Sequence, residues 1–383
     1  MILREITSNA LNIIREYPCL GIVGPRQIGK TTFSNQLLKQ INIESIYLDL
    51  ESPSDYDLLN NAEDYFLSNQ NKLIVIDEVQ RKKELFPILR SVIDRNRVPG
   101  RFILLGSASP ELIRDSSESL AGRIAYVEIS GLTLNEYPHQ MQLWLKGGYP
   151  LIHQSKMDVT RWYKNYLNTY IERDLPLLGM PGQAITIRRM TFMLAQFHGQ
   201  TLNMAILAKS LELSIPTIKK YLDFLEGAFL IRRLHVFAIN AKKRLSKSPK
   251  IYFRDTGLLH YLMGIKNAEE LNQFVNFGAS WEGFAIEQIA GICGDDIDLY
   301  YYRTQHGAEL DLVLVRGVTP IVAIEIKHGD KTSPSRGNII SAVDVEAENK
   351  FVIHSKSDKP TWTNQNGWTM CSLAHFLSNE LNY

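Results

Sequence analysis

Residues 20–40 read LGIVGPRQIGKTTFSNQLLKQ, and this stretch decides the fold. An apolar run, Leu20–Val23, leads into a loop with glycines at its first and sixth positions, and the helix-forming run Thr32–Gln40 follows. Glycine lets backbone N–H groups turn toward an anion, and a helix N-terminus adds partial positive charge. The spacing fits GxxxxGK[ST] at every fixed position, so the sequence predicts a phosphate-binding loop between a buried strand and a helix.

The loop predicts the contacts of a bound nucleotide. Lys30 would reach the β- and γ-phosphates of ATP, and the hydroxyl of Thr31 would take a place on Mg²⁺. The predicted nucleotide contacts are Gly24, Pro25, Arg26, Gln27, Ile28, Gly29, Lys30, Thr31 and Thr32. ATP and Mg²⁺ are therefore the expected cofactors.

A second motif follows the apolar run Leu73–Ile76, where Asp77 and Glu78 end a predicted buried strand. Two adjacent acids there would be costly unless a metal or a partner compensates them. We expect Asp77 to bind the nucleotide's Mg²⁺ and Glu78 to polarise the attacking water as a catalytic base. The two motifs together predict ATP binding and hydrolysis.

Two further residues have open interpretations. Ser107 follows the strand-like run Phe102–Leu105, where a polar side chain could sense the γ-phosphate, although an ordinary turn serine has the same pattern. Arg123 could act catalytically as an arginine finger, in its own chain or in a neighbouring copy, or it could be a surface or ion-paired arginine.

The hydrophobic pattern divides the chain into four segments. Residues 1–135 alternate apolar strand-like runs with helix-length stretches, which predicts a parallel α/β sheet. Residues 136–200 are predicted to be helical, with their aromatic side chains in the core. Residues 201–277 contain two short helical patterns, with Ser214 as an N-cap, followed by two strand-like runs around a basic loop. That order predicts a winged helix.

Basic residues are concentrated in and beside the predicted wing and on the second helix of the predicted winged helix. Such a cluster is typical of a surface that contacts a phosphate backbone. It predicts nucleic acid, DNA in particular, as a partner. Basic loops are also common simply because they are solvated, and winged helices also bind proteins. The residues are Lys219, Lys220, Lys242, Lys243, Arg244, Lys247, Lys250 and Arg254.

Residues 278–383 begin with a helical stretch and continue through three strand-like runs. Asp311 lies on the second run, and Glu325 and Lys327 share one face of the third because alternate strand residues point the same way. The pattern resembles the PD-(D/E)XK nuclease core, which implies that Asp311, Glu325 and the helical acid Glu282 bind Mg²⁺ while Lys327 orients or deprotonates water. Glu309 and Glu287 are alternative acids, and a salt-bridged cluster is the alternative interpretation.

The motifs resemble the AAA+-like prokaryotic ATPases in which an ATPase core precedes a C-terminal module. The resemblance implies ATP binding and a nuclease-like C-terminal α/β fold. In one departure, Gly106-Ser107 stands where AAA+ motors usually have asparagine. The stretches that carry the resemblance are GPRQIGKTT (24–32), LIVIDEVQR (73–81), ILLGSAS (103–109), SLAGRIAYVEISGLTLNEY (119–137), IYFRDTGLLHYL (251–262), YYRTQHGAELDLVLV (301–315) and IVAIEIK (321–327).

Composition excludes several classes of protein. The chain has 383 residues, and 42 Lys plus Arg balance 41 Asp plus Glu, which excludes a polybasic protein that coats nucleic acid. Three cysteines without a CxxC pair exclude a disulfide scaffold and a cysteine zinc site, and they suggest a reducing compartment. No apolar run approaches the length of a membrane span, and residues 1–10, MILREITSNA, lack the basic and then apolar pattern of a signal peptide. A cytoplasmic protein is therefore expected.

Two functions of different classes remain. The first is an ATPase that drives or gates a nucleic-acid-acting winged-helix and nuclease-like module. The second is a nucleotide-controlled protein-binding switch whose nuclease-like domain is catalytically silent. The sequence leaves a homo-oligomer or a protein partner open.

Overall fold

A parallel sheet forms the amino-terminal part of the protein. The computed structural model describes residues 2–109, 120–238, 248–294, 296–329, 333–356 and 360–381. The first elements are α1 (Thr7–Glu16), β1 (Cys19–Val23), α2 (Lys30–Leu38), β2 (Ser45–Asp49), α3 (Pro53–Leu58), α4 (Ala62–Ser68), β3 (Leu73–Asp77), α5 (Leu85–Arg95), β4 (Phe102–Gly106) and β5 (Ile124–Glu128).

The strands of this sheet lie in the order β2-β3-β4-β1-β5, and all neighbours are parallel. Strands β1, β3 and β4 are buried along their whole length, as expected for apolar strands covered on both faces. Val23 pairs with Gly106 and with Glu128, so the carboxyl ends of β1, β4 and β5 share one edge. The predicted parallel α/β sheet is confirmed, and ligands of such sheets bind at this edge.

A helical middle part follows the sheet. Tyr163, Tyr166 and Tyr170 are buried, so the prediction that these aromatic side chains belong to a core is confirmed. The helices are α6 (Gln140–Lys146), α7 (Pro150–Gln154), α8 (Val159–Thr169), α9 (Leu175–Leu177), α10 (Ala184–Gln196), α11 (Met204–Leu211) and α12 (Ile215–Gly227), with a π-helical turn at Tyr170–Asp174.

Helices α11 and α12 and the strands beside them have the predicted order. The hydroxyl of Ser214 accepts a hydrogen bond from the backbone N–H of Thr217 at 3.2 Å, so the expected N-cap is confirmed, and α12 ends at Gly227. Strands β7 (Ile231–Val236) and β8 (Lys250–Phe253) pair antiparallel, and the short β6 (Gln200–Thr201) pairs with β8. Residues 239–247, which contain most of the predicted basic loop, lie outside the described residues.

The carboxyl-terminal part combines helices with a mixed sheet. Strands β9, β10 and β11 are antiparallel neighbours, whereas β12 and β14 add in parallel, which confirms an α/β carboxyl-terminal region. The elements are α13 (Thr256–Met263), α14 (Ala268–Gln273), α15 (Phe277–Ala290), β9 (Ile297–Arg303), β10 (Glu309–Arg316), β11 (Thr319–Lys327), α16 (Arg336–Val345), β12 (Asn349–His354), β13 (Trp362–Thr363), β14 (Trp368–Ser372) and α17 (Leu373–His375).

One sheet joins the middle and carboxyl-terminal parts. Its order is β13-β14-β12-β11-β10-β9-β7-β8-β6, and β7 pairs with β9 in parallel where His235 lies opposite Tyr300. Strand β7 belongs to the predicted winged helix and β9 to the predicted nuclease-like segment. The expected boundary at 277/278 therefore separates two parts of a continuous sheet, and the division into four segments stays a prediction.

A buried arginine connects three parts of the chain. The guanidinium of Arg254, which follows β8, donates to Glu128 at the end of β5 and to Glu287 on α15, the latter at 3.1 Å. Glu287 also accepts hydrogen bonds from Arg232 on β7. Only 10% of the Arg254 and Glu287 side chains is exposed, so each charge depends on its partner for compensation.

We expect Glu287→Gln to lower the free energy of unfolding by about 3 kcal/mol, because it leaves two arginines with a neutral partner in a buried position. The matched control is Asp296→Asn, which breaks the exposed pair between Asp296 and Arg316 and should cost less than about 1 kcal/mol. Urea unfolding followed by circular dichroism measures both. Equal losses in the two variants would contradict a structural role for the buried pair.

Candidate functional site

The phosphate-binding loop contains two glycines in conformations that other residues rarely adopt. Gly24 has φ 153° and Gly29 has φ 100°. A Cβ atom at Gly24 would lie 2.3 Å from the carbonyl oxygen of Ile129, so this position also needs glycine for space. Apart from its chain neighbours, no heavy atom of the described residues lies within 4 Å of a Cβ atom built at Gly29, so glycine is needed there for its φ. Strand β1, the loop and helix α2 follow one another as the motif predicts.

The remaining loop residues differ in exposure. Pro25 and Ile28 are buried, whereas Gln27 and Thr32 are exposed. The exposed positions can meet a ligand with their side chains. The buried ones can contribute only backbone groups, which is how such loops hold phosphates.

Lys30 is buried at the start of α2, and its ammonium group points back into the loop. Its Nζ donates to the carbonyl oxygens of Gly24 at 3.1 Å and Pro25 at 3.0 Å. Burial lowers the pKa of Lys30 to about 8, although the nearby carboxylates of Glu78 and Asp77 favour the charged form. The ammonium group therefore lies in the loop that a triphosphate would occupy, and a bound anion would raise its pKa again.

Asp77 ends β3 beside the loop and has three neighbours that position it. The hydroxyl of Thr31 donates to its Oδ2 at 2.8 Å, and the hydroxyl of Tyr47 donates to the same oxygen. The backbone N–H of Glu78 donates to Oδ1 at 2.8 Å. The sequence motifs predict that Thr31 and Asp77 share one Mg²⁺, but they do not predict Tyr47, because a tyrosine on β2 has no motif that distinguishes it from a core aromatic residue.

Glu78 leaves the strand in a left-handed backbone conformation, with φ 55°. The hydroxyl of Ser107 donates to its Oε1 at 3.2 Å, and the side-chain amide of Gln80 donates to Oε2. Burial raises the pKa of Glu78 above its usual range. A buried carboxylate with a raised pKa is suited to accept a proton, and Ser107 contacts this base directly.

Arg26 connects the loop to the helical middle part. Its guanidinium donates to Asp174 in the π-helical turn and lies 3.6 Å from Glu51, which follows β2. Together with Glu78 and Ser107, these residues line a cavity of about 350 Å³. Arg26, the third residue of the loop, therefore contributes a positive charge to the cavity that Glu78 also lines.

The structure places Arg123 at the opposite edge of the sheet. It precedes the first residue of β5, and Ile124 pairs with Cys19 at the amino end of β1, whereas the phosphate loop begins after the carboxyl end of β1. Its guanidinium forms two hydrogen bonds with Asp94, at 2.6 and 2.7 Å. The expectation that Arg123 reaches a phosphate in its own chain is wrong; contact from a neighbouring copy stays a prediction.

A second group of carboxylates lies on the mixed sheet. The register that pairs Leu312 with Ile324 puts Asp311 on β10 beside Glu325 on β11. Asp311 Oδ2 also accepts from the backbone N–H of Ile326 at 2.9 Å. The spacing Asp, thirteen residues, Glu therefore brings two carboxylates together, as the sequence predicts.

Lys250 from β8 extends into this group. Its Nζ lies 3.0 Å from a carboxylate oxygen of Glu282, 2.6 Å from one of Glu309 and 3.8 Å from one of Asp311. Only 5% of the Lys250 side chain is exposed. Burial alone would lower the pKa of Lys250, but the surrounding carboxylates raise it above its ordinary value, so the lysine is charged.

The carboxylates do not surround a metal position. Burial, together with the neighbouring acids, raises the pKa values of Glu282, Asp311 and Glu325 to about 7 each. Within the described part of the chain, no group of three or more histidine, cysteine, aspartate or glutamate side chains is arranged to hold a metal ion. The expectation that Glu282, Asp311 and Glu325 form a metal site does not fit this arrangement, because the ammonium of Lys250 lies among them.

Two other residues complete the cluster. The side-chain amide of Asn338, buried on α16, donates to Glu325 Oε2 at 2.6 Å. Asn338 is not among the residues that the sequence pattern predicts for this cluster, although its capping box with Ser335 is a local signal for the position. Lys327 lies 3.9 Å from Glu325 and donates to the backbone carbonyl of Ser333 at 2.7 Å.

Several expectations about charge need correction. Lys250 and Arg254 are buried in ion pairs, so they are not available to contact a phosphate backbone. Glu287 pairs with arginines away from Asp311 and is not an alternative acid of that cluster. Lys219 and Lys220 are exposed on α12, as predicted. Lys242, Lys243, Arg244 and Lys247 lie outside the described residues.

The loop, the buried lysine and the acidic end of β3 define the class of this protein as a P-loop ATPase. Residues 16–138 match the family model described as an AAA domain. Residues 138–269 match a domain of unknown function, DUF8612, and residues 277–376 match another, DUF4143.

The chain belongs to the same family as the uncharacterized proteins Mb2031c of Mycobacterium bovis and Rv2008c of Mycobacterium tuberculosis. It is 41% identical to each over 355 residues, which cover 92% of this chain and 79% of each relative. An uncharacterized protein of Haemophilus influenzae is 25% identical over 289 residues, 67% of this chain and 72% of that protein.

Solved structures that resemble the chain are more distant. The Walker-type ATPase PABY2304 of Pyrococcus abyssi is 16% identical with a TM-score of 0.45, over 69% of this chain and 96% of that chain. A single-residue variant of RuvB from Thermotoga maritima is 15% identical with a TM-score of 0.32, over 61% of this chain and 90% of that chain.

No helix in the described segments has both the length and the apolar character of a membrane span. The cytoplasmic location stays a prediction.

The pKa of Lys30, about 8, predicts how nucleotide affinity depends on pH. Triphosphate binding favours the charged ammonium, so affinity should be level below pH 8 and fall by up to about tenfold per pH unit above it. Calorimetric ATP titrations between pH 7.5 and 9.5 measure this slope. Lys30→Arg is the control, because its guanidinium stays charged. A level affinity in the parent protein, or the same fall in the control, would contradict the assignment.

Proposed function

We propose that the protein hydrolyses ATP at the phosphate-binding loop. The observation that carries the proposal is the meeting of Lys30, the Thr31–Asp77 pair and Glu78 at one edge of the parallel sheet. Lys30 would neutralise the β- and γ-phosphates, and Glu78 would take the proton of the attacking water. The hydrogen bond from Ser107 would hold the Glu78 carboxylate at the γ-phosphate side of the site.

A divalent cation is consistent with this edge. The Thr31 hydroxyl and the Asp77 carboxylate are hard oxygen ligands of the kind that Mg²⁺ selects, and they lie 2.8 Å apart beside the loop. These two residues would hold Mg²⁺, which would supply charge neutralisation to the phosphates. Tyr47 would orient Asp77 through its hydroxyl.

Arg26 supports a role for the middle part in hydrolysis. Its pairing with Asp174 brings the π-helical turn to the cavity that contains Glu78 and Ser107. A γ-phosphate in that cavity would compete with Asp174 and Glu51 for the guanidinium. ATP binding and hydrolysis would then alter the contact between the loop and the helical middle part, which continues into α11 and α12.

We expect Glu78→Gln to bind ATP with nearly parental affinity but to lower turnover by about 10²- to 10⁴-fold, because the metal ligands remain while the base is lost. Lys30→Ala should abolish binding, since it removes the ammonium from the loop. Fluorescent-nucleotide titration and phosphate release measure the two properties. Glu84→Gln, at an exposed position just before α5, is the control. Parental turnover in Glu78→Gln would refute the base assignment.

We propose further that ATP turnover drives or gates a module that acts on nucleic acid. The support is the winged-helix-like order of α11, α12, β7 and β8, with Lys219 and Lys220 exposed on α12. The carboxyl-terminal part adds a helix, three antiparallel strands, a helix and a parallel strand, and it carries Asp311 and Glu325 as a nuclease-like fold would.

DNA is expected to stimulate ATP turnover, and the stimulation should depend on α12. Lys219→Gln combined with Lys220→Gln should weaken DNA binding and lower the slope of log affinity against log salt by about 0.9 for each lost duplex contact. Fluorescence anisotropy with duplex and single-stranded DNA measures this. The control is Lys39→Gln, exposed just after α2. A rate of ATP turnover that neither duplex nor single-stranded DNA changes would contradict the proposal.

The second candidate is a nucleotide-controlled protein-binding switch with a silent nuclease-like domain. The burial of Lys250 and Arg254 favours it, because two of the basic residues expected at the wing serve internal ion pairs. DNA-independent turnover together with nucleotide-dependent capture of a protein partner would favour this function.

A further inference from the structure

The positive charge within the carboxylate cluster of the mixed sheet comes from a side chain of the protein, Lys250. Glu282 comes from α15, Glu309 and Asp311 from β10, and each lies within 4 Å of the Lys250 ammonium. Lys250 itself comes from β8, outside the helix α15 and the strands β10 and β11 that carry the acids. The lysine of the sequence motif, Lys327, contacts Glu325 and a backbone carbonyl but is not among the contacts of Glu282 or Asp311.

The arrangement disagrees with a metal site. A divalent ion requires several oxygen ligands directed at one point, at about 2.0–2.6 Å. Here the ammonium of Lys250 takes up oxygens of three acids, and no metal-binding group of three or more side chains occurs among the described residues. An ammonium ion and a divalent ion would compete for the same carboxylate oxygens.

The acids are held in place by contacts that do not involve Lys250. Tyr252 donates its hydroxyl to Glu282. The backbone N–H of Ile326 donates to Asp311, and Asn338 donates to Glu325. Removal of the ammonium would therefore leave Glu282 and Asp311 ordered and buried but without the cation that pairs with them among the described residues, which favours binding of a divalent ion.

We propose that the ammonium of Lys250 takes the place of a divalent ion, so that the cluster binds no such ion while β8 keeps the lysine there. The inference rests on the nuclease-like arrangement in the proposed function. Strand β8 pairs with β7, which directly follows α12, so this strand pair fixes the backbone of Lys250 beside the cluster. The strand that carries Lys250 is thus paired with the strand that follows the proposed nucleic-acid-binding helices.

Lys250→Met in the full chain tests the proposal. Both it and the parent protein carry Asp77→Asn, which removes the expected ion ligand at the phosphate loop. Free Mn²⁺, followed by electron paramagnetic resonance without nucleotide, should reveal one site in Lys250→Met that is at least about tenfold tighter than any in the parent. Adding Asp311→Asn should abolish it, and the control Lys327→Met should not create it.

Equal Mn²⁺ binding by the parent and Lys250→Met would overturn the proposal, and so would a folded Lys250→Met that binds none. If Lys250→Met folds poorly, melting with and without Mn²⁺ decides: the ion should raise the melting temperature of Lys250→Met or Lys250→Gln but not of the parent. No shift in either variant would again overturn it. ATP turnover is measured separately in chains with an intact Asp77, so failure of the proposed ATPase is distinguishable from failure at Lys250.

Discussion

The ion pairs of the buried Arg254 guanidinium connect the parallel sheet to the mixed sheet. Arg254 pairs with Glu128 at the carboxyl end of β5 and with Glu287 on α15, while its own backbone continues from β8. A charge in this position is tolerated only because both acids compensate it. Strand β5 lies beside β1, which leads into the phosphate loop, so the pairing joins the ATPase sheet directly to the mixed sheet.

The negative charges at the phosphate loop and in the carboxylate cluster are compensated in different ways. At the phosphate loop, Asp77 is held by hydroxyl and backbone donors, all of them neutral, and its charge remains available to a cation. On the mixed sheet, the charge is already met by Lys250. The first arrangement suits a ligand that arrives and leaves. In the second, any cation that enters must first displace a covalently attached one.

Much of the fold could be predicted from sequence because it depends on local patterns. The strands predicted at Leu20–Val23, Leu73–Ile76 and Phe102–Leu105 occur within one residue of these bounds, since buried parallel strands are continuous apolar runs. The failures concern charged residues. Arg123 lies at the wrong edge for a finger in its own chain, and Lys250 and Arg254 face inward, because the solvation of a long basic side chain depends on which acids the fold brings to it.

The sequence by itself determined the phosphate loop, the acids at the end of β3 and the order of helices and strands, because glycine spacing and apolar periodicity act within one element or between neighbours. Only the tertiary structure decided that Tyr47 and Ser107 contact the acids of the ATP site, that β7 joins β9 in one sheet, and that Lys250 occupies the carboxylate cluster. These are contacts between residues far apart in the chain. Their energy comes from burial and charge compensation, which a one-dimensional pattern does not record.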